Sequence, residues 1–335
     1  MMSKETILYR VDGGRKWSIS MGHVRRALIV ADMILERYNI VFVMKNFLDG
    51  VSYVRNKGFT VEVINEDDSR DDTLIKLAHK YEPEKIIFDL YNNPYKRIFA
   101  YAKKNKISTV VFDSIGTFRG DSDIIINESF VDKFTSYEPK KGTKLFVGPQ
   151  YFLIDDMLNS LPLNKKIDKI AITMGGSDPA NLTEKIVQAL LAFKSLKKYS
   201  IILGPLFSKS SEKELRKLCI DKENFLVIRN PPSLIKLLSD QDLVICAGGR
   251  TLYECAFLGR PAIIIPSIEH EETTAIKYNQ LTGCYNLGLW SEKSSAQLLD
   301  IIKKYENYAF RKKIYDLSCE LVDGKASDRI GHILN

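Results

Sequence analysis

The stretch "ILYRVDGG" (residues 7–14), followed by "SISMGHVRRALIVADMI" (residues 18–34), reads as a strand, a glycine loop and a helix in that order. The apolar run closes on Gly13 and Gly14. Beyond it Val24, Ala27, Leu28, Ala31, Ile34 and Leu35 recur at three- and four-residue spacing, which predicts a helix packed on one face against a sheet. Gly22 and His23 fall at the start of that helix, where free N–H groups and the positive end of the dipole favour anions. A local hydrogen bond at the surface explains a lone histidine there equally well. Its meaning depends on the rest of the chain.

Outward from this stretch the alternation continues. "NIVFVMK" (39–45), "TVEVIN" (60–65), "KIIFDLY" (85–91), "STVVFDS" (108–114) and "DIIINES" (123–129) are short apolar strands, with helical patterns such as "DDTLIKLAHKY" (71–81) and "KRIFAYAKKN" (96–105) between several of them. Strands ending in Asp or Asn put polar side chains on the carboxyl edge, where open α/β sheets bind ligands. Residues 1–150 are therefore expected to form one Rossmann-like domain. "FVGPQYFLIDDMLNSLPLNKKID" (146–168) is less regular, with two prolines and a charged run, and predicts a linker over 151–167. The pattern then restarts in "KIAITMGGSDPANLTEKIVQALLAF" (169–193), "YSIILGP" (199–205), "NFLVIRNPPSLIKLL" (224–238) and "DLVICAGGRTLYECAFLGRPAIIIPS" (242–267). A second Rossmann-like domain is expected over 168–320, facing the first across a cleft. Residues 321–335 are expected to form a last helix that can cross back to the first domain.

At 335 residues and 45% apolar content the chain is long enough for two cores. It has no run of eighteen apolar residues, and "MMSKETILYR" lacks a charged-then-apolar signal pattern. A soluble cytoplasmic protein without stable membrane insertion is expected. Cys219, Cys246, Cys255, Cys284 and Cys319 are odd in number, form no C-x-x-C pair and sit mostly in apolar segments, so they read as reduced core residues. The formal charge of +7 suits a phosphorylated ligand. Because the lysines are scattered over helix faces with no basic strip interleaved with aromatics, nucleic acid is not an expected partner.

Two glycine loops carry the chemistry of the second half. In "GGRTLYE" (248–254), Gly248 and Gly249 let the backbone approach a ligand closely, and the helix begun near Thr251 aims its N–H groups at it. A diphosphate fits that geometry, with Arg250 as an adjacent cation and Glu254 placed to accept from a ribose diol. Thr251 and Glu254 also match T-x-x-E, a capping box that needs no ligand. In "TMGGSDPANLT" (173–183), Asp178 before Pro179 resembles an N-cap with proline at the first helical position. Gly175 and Gly176 are better explained by close approach of a nucleotide or of the other domain. Asp121-Ser-Asp123 matches the D-x-D of metal-dependent sugar transferases, but Asp123 more simply opens the strand that follows, and no metal is expected. The sequence has no G-x-x-x-x-G-K-[ST] loop and no G-x-S-x-G elbow, which argues against an NTPase or a serine hydrolase.

Together "RVDGG…SMGHVRRALIVAD", "FDLY", "VGPQYFLI", "MGGSDPANLT" and "AGGRTLYECAFLGRPAIIIP" resemble, in order and approximate spacing, the UDP-sugar hydrolases of the pseudaminic acid pathway and their spore-coat polysaccharide relatives. The resemblance spans nearly the whole chain and implies the two-domain GT-B (glycosyltransferase-B) fold of the α/β class. It implies that His23 is catalytic, that Asp89 and Tyr91 face the sugar, and that Gly248, Gly249 and Glu254 hold UDP. Further substrate contacts are expected from Asp12, Gly22 and Arg26, from Gly175, Gly176, Asp178 and Asn181, from Arg250 and Thr251, and from His270 and Glu271. The implied reaction is attack of water on the anomeric carbon of a UDP-activated amino sugar, releasing UDP and inverting the sugar, in a monomer with no metal or cofactor. A neutral imidazole can take the proton from water near neutral pH.

The chain departs from that family in two places. Ser20 stands where its first glycine of G-x-G-H falls, and His270-Glu271-Glu272 replaces an Asn-Gln pair, a change that implies another substrate or an acceptor other than water. Two further functions suit the same fold. One is an inverting glycosyltransferase with His23 activating a hydroxyl, and the other is a non-catalytic nucleotide-sugar-binding protein.

Overall fold

In the computed structural model, which describes residues 4–14, 21–154, 162–193 and 195–335, the apolar runs of the first half become strands of a single parallel sheet. Along the chain the elements are β1 (Glu5–Val11), α1 (Gly22–Ile34), β2 (Tyr38–Lys45), α2 (Leu48–Asn56), β3 (Thr60–Ile64) and α3 (Asp71–Tyr81). There follow β4 (Lys85–Asp89), α4 (Arg97–Lys104), β5 (Ser108–Phe112), β6 (Ile124–Asn127), α5 (Asp132–Thr135) and β7 (Lys144–Val147). The spatial order is β3-β2-β1-β4-β5-β6-β7. All five residues of β4 are buried, because both faces of a parallel sheet are covered by helices. On one face Ile7, Tyr9 and Val11 meet Val24, Ala27 and Ala31 of α1. On the other, Leu8, Ile86 and Phe88 meet Leu74 of α3 with Ile98 and Phe99 of α4.

Phe146 and Val147, read from sequence as the start of an irregular segment, instead end β7, an edge strand paired with β6. None of its four residues is buried. A strand so short and so exposed carries no apolar alternation to read.

The second half builds another parallel sheet. Its elements are β8 (Lys169–Thr173), α6 (Leu182–Ala192), β9 (Lys198–Leu203), α7 (Lys209–Leu218), β10 (Phe225–Arg229), α8 (Leu234–Ser239) and β11 (Leu243–Cys246). After them come α9 (Thr251–Leu258), β12 (Ala262–Ile264), α10 (Glu269–Thr282), β13 (Tyr285–Asn286), α11 (Ser294–Tyr305) and α12 (Tyr308–Cys319). The strand order is β10-β9-β8-β11-β12-β13. A last helix, α13 (Ala326–Leu334), packs against α1 of the first sheet. Ala326, Ile330 and Leu334 are buried in the same cluster as Ala27 and Ile34, and Arg329 donates to the Gln150 carbonyl at 2.9 Å.

The chain thus divides into two compact units, Met1–Asp155 with Lys325–Asn335, and Asp156–Gly324. Of the segment expected to link them, residues 155–161 lie outside the described residues, and the remainder after them is tied to the second unit. Arg311, wholly buried, donates to the carbonyls of Asn164 and Lys165 at 2.8 Å each, while the Asp242 carboxylate accepts from Asn164 and from the amides of Asp168 and Lys169. In each sheet the strand order reverses once, between β1 and β4 and between β8 and β11. The carboxyl ends of strands flanking such a reversal are where open α/β sheets hold ligands.

Candidate active site

In the first unit the reversal point brings α1 and β4 together. Gly22 is the first residue of α1, whose first turn holds no acidic side chain, and His23 follows with 18% of its side chain exposed. Asp89 ends β4 in register with Val11 and is completely buried. His23 Nδ1 lies 2.5 Å from Asp89 Oδ1. One turn along the same helix face, Arg26 donates from Nε to Asp89 Oδ2 at 2.8 Å and from Nη2 to Oδ1 at 2.5 Å. Arg26 Nη1 donates to Ser114 Oγ at 2.8 Å and pairs with Glu128 Oε1 at 2.7 Å, and the guanidinium lies over the Phe112 ring at 5.1 Å.

These contacts fix the protonation pattern. Burial alone would push the Asp89 carboxyl up, but Arg26 and then His23 pull it down to about 2. An ionised carboxylate only accepts, so the hydrogen bond to Asp89 calls for a proton on His23 Nδ1, a nitrogen that also lies 3.2 Å from Arg26 Nη2.

Three expectations change here. Asp89 does not face a substrate; it lies behind His23, because a buried Arg26 requires a buried counter-charge. Arg26 itself, 2% exposed, has its donors on Asp89, Ser114 and Glu128 and is not placed to bind substrate. Asp12 accepts two hydrogen bonds of 2.7 Å from the buried Arg10 and one of 2.8 Å from the Lys45 amide, which makes it a fastener of the loop after β1. That loop is tightly held: a Cβ on Gly50 would lie 2.0 Å from the Gly13 carbonyl oxygen. Tyr91, two residues beyond Asp89, is exposed. Ser20 lies outside the described residues.

In the second unit the reversal point carries both glycine loops. The loop after β11 runs Ala247-Gly248-Gly249-Arg250 into α9, and a Cβ on Gly248 would lie 2.6 Å from the backbone oxygen of Glu271. The close approach predicted for these glycines is therefore met, in part, by the start of α10. Thr251 is the first helical residue and Arg250 the N-cap, with no side-chain cap, so the T-x-x-E capping box does not form. Its threonine sits one position too late. Glu254 is partly buried one turn into α9.

The loop after β8 corrects a second expectation. α6 begins at Leu182, not at Pro179, and Asn181 is its N-cap in left-handed conformation with φ 52°. The Asp178 carboxylate still caps the helix, accepting from the amides of Leu182 and Thr183 at 2.8 and 2.7 Å, which gives it a role in the fold. Two left-handed residues, Asp178 and Asn181, fold the intervening turn and delay the helix. Gly175 has φ +74°, and the crowding lies at Gly204 after β9, where a Cβ would meet the Gly175 oxygen at 2.4 Å. A local packing reason thus stands beside the ligand reading of these glycines, since the same Cβ would lie 2.6 Å from the Gly176 Cα.

The Glu271 carboxylate turns inward, accepting from the Ser267 amide at 2.8 Å. Burial pushes it above its ordinary value against the pull of backbone hydrogen bonds from Ser267, Gly248 and Ile268. The side chain of His270 lies outside the described residues.

Comparison with known proteins bears on this pair of loops. Residues 170–307, within the second unit, match the glycosyltransferase family 28 C-terminal domain. An uncharacterised protein of Methanocaldococcus jannaschii is 28% identical over 266 residues, 74% of this chain, and the chain spans only about half of that relative's length, 53%. The spore coat polysaccharide biosynthesis protein SpsG of Bacillus subtilis is 23% identical over 329 residues, 96% of each chain. Among solved structures, MurG of Acinetobacter baumannii superposes over 99% of both chains with a TM-score of 0.70 at 13% identity. The chain has the GT-B fold.

In the GT-B frame both glycine loops and Glu271 fall inside the matched glycosyltransferase domain, while His23 and its partners belong to the other unit. Sequence reading singled out Asp89 but missed Ser114 and Glu128, which share Arg26 with it. The same signal could have found them, since "VFDS" and "INES" also end apolar strands in polar residues at the carboxyl edge of the sheet. Asp121 and Asp123 of the D-x-D do not act together. Asp123 accepts from the amide and hydroxyl of Thr109, and Asp121 faces Lys103 and Lys140 at 3.8 Å. Among the described residues no helix is long and apolar enough to cross a membrane.

Proposed function

We propose that this protein moves a sugar from a nucleoside diphosphate to an acceptor hydroxyl, inverting the anomeric carbon, in the building of a surface polysaccharide. The observation that carries the reading is the His23 ring, fixed by buried Asp89 at 2.5 Å so that Nε2 is left to accept a proton. In the proposed step Nε2 takes the acceptor O–H proton as that oxygen bonds to the anomeric carbon. The bond from that carbon to the diphosphate oxygen breaks, and the diphosphate leaves with the electron pair. Asp89 stabilises the imidazolium so formed, and exposed Tyr91 and the backbone at Gly22 border the sugar. In the second unit the first amides of α9, with Gly249, Arg250 and Thr251, are assigned to the departing diphosphate, and Glu254 to the ribose. Support for the nucleotide comes from the matched glycosyltransferase domain, and support for the polysaccharide from the name of the spore coat relative.

Water as the acceptor is the second reading, favoured by the five motif segments that resemble UDP-sugar hydrolases of a diacetamido-trideoxy-hexose. One experiment separates the two: UDP-activated diacetamido-trideoxy-altrose is incubated with the protein in oxygen-18 water without acceptor and followed by NMR and mass spectrometry. A transferase binds UDP and releases no sugar until a hydroxyl acceptor is supplied. UDP release with the label on the sugar establishes the hydrolase. Label on the phosphate means P–O cleavage and overturns both readings.

The loop assignment yields its own prediction. Gly248→Ala forces a methyl against the Glu271 backbone, a conflict of about 1–3 kcal/mol that displaces either the loop or the start of α10. UDP affinity measured by calorimetry is expected to fall roughly 10-fold or more, with the His23 unit unaffected. Unchanged UDP affinity in a folded variant removes the diphosphate from this loop.

A further inference from the structure

The Glu128 carboxylate takes no part in the reaction proposed above, yet it is built into the same buried cluster. Its side chain is 8% exposed, and it pairs with Arg26 through Nη1, the one guanidinium nitrogen that Asp89 does not use. Arg26 faces two carboxylates, Asp89 and Glu128, so one guanidinium charge is shared between two negative groups, and His23 is bonded to the first of them.

We propose that Glu128 is a positioning residue that strengthens His23 as a base, acting across Arg26. By engaging Nη1 it draws part of the guanidinium charge away from Asp89, so that more of the Asp89 charge is available to an imidazolium. Without Glu128 the Arg26–Asp89 pair is already neutral, and a proton on His23 leaves an uncompensated positive charge. The remaining titratable group behind the cluster among the described residues is Tyr9 of β1, whose phenol is kept protonated by burial and then by Asp89. Ser114 shares Nη1 with Glu128 but is uncharged, which makes it the internal control. The inference rests on the reading of His23 as base, but its first test does not.

The test is an NMR titration of the full chain labelled with nitrogen-15 in histidine, with the His23 signals assigned by their loss in His23→Gln. In Glu128→Gln the midpoint of the His23 ring titration is expected about one pH unit lower than in the parent protein. The low-field Nδ1 proton of the Asp89 hydrogen bond is expected to move upfield. Ser114→Ala, which removes a hydrogen bond and no charge, is expected to leave the midpoint where it is. Glu128→Asp, withdrawing the carboxylate by one methylene, should give a smaller shift of the same sign and serves if Glu128→Gln does not fold. An unchanged midpoint in Glu128→Gln, or an equal shift in Ser114→Ala, overturns the proposal. With a substrate in hand, the acid limb of the kcat/KM profile of Glu128→Gln should move to lower pH by the same amount. A lower rate with the profile in place means a structural role only. Full turnover by His23→Ala would instead sink the base assignment and leave the titration result standing.

Discussion

His23→Ala is expected to lower turnover by about 10²- to 10⁴-fold, the usual contribution of a positioned general base, while fold and UDP binding persist. The side chain lies at the second position of α1 and is partly exposed, whereas the packing of that helix is carried by Val24, Ala27, Leu28 and Ala31. The apolar stripe of the helix is untouched by removing the ring. Asp89 also keeps its two-point clamp to Arg26, so no buried charge is orphaned. Turnover with the UDP-sugar donor, calorimetry with UDP and circular dichroism together check this. Rates like those of the parent protein would end the proposed mechanism, and a loss of helicity would mean that the residue is structural.

Asp89→Asn is expected to damage both chemistry and stability. An amide can donate to Nδ1, which favours the ring form with its proton on Nε2 and so removes the acceptor; the loss is on the order of 10⁴-fold, as when a similar orienting aspartate is replaced. The fold suffers separately. Arg26 loses the carboxylate that holds two of its nitrogens, and breaking a buried ion pair costs about 3–5 kcal/mol. The retained Glu128 contact places this variant towards the lower end.

The same substitution has a pH signature. The Asp89 carboxyl is depressed from an ordinary 3.8 to about 2 in the folded protein, so its ionised form contributes stability above pH 4 that is lost as pH falls towards 2. At about 1.4 kcal/mol per pH unit that contribution is about 2 kcal/mol. Urea unfolding should therefore show a wide gap between the parent protein and Asp89→Asn at neutral pH, narrowing by this amount in acid. A gap that stays constant across that range would mean that the Asp89 carboxyl is not depressed in the folded state.

Much of the fold was open to sequence reading because it is written in local periodicity. The strand, glycine loop and helix around His23 needed only the spacing of Val24, Ala27 and Ala31. The polar ends of "FDLY" and "VFDS" marked the carboxyl edge of the sheet. Partnership between such residues is not local: Arg26 joins Asp89, Ser114 and Glu128 from three other elements, and no spacing along the chain reports that they converge. Hence Arg26 and Asp89 looked like substrate contacts until their burial showed them bonded to each other. The reading of Gly248 had the right physics, since a close neighbour does exclude a side chain there, but part of that neighbour is Glu271 of the same unit. Asp178 was read correctly as a cap and its helix placed too early, because the left-handed turn through Asn181 has no signature that distinguishes it from a helix start.

The docking of α13 onto α1 has a consequence for how the molecule is made. The unit that carries His23 is begun first on the ribosome and completed last, because its closing helix is synthesised only after all of Asp156–Gly324. At about 5–20 residues per second that interval is roughly 10–30 s. Throughout it the stripe through Ala27 and Ile34 on α1 lacks the apolar cover that Ala326, Ile330 and Leu334 later provide. The nascent chain must therefore carry its first unit unfinished until the whole of the second has been synthesised. Any fusion or deletion at residues 325–335 strikes the half that bears the histidine, although by position in the sequence it adjoins the other.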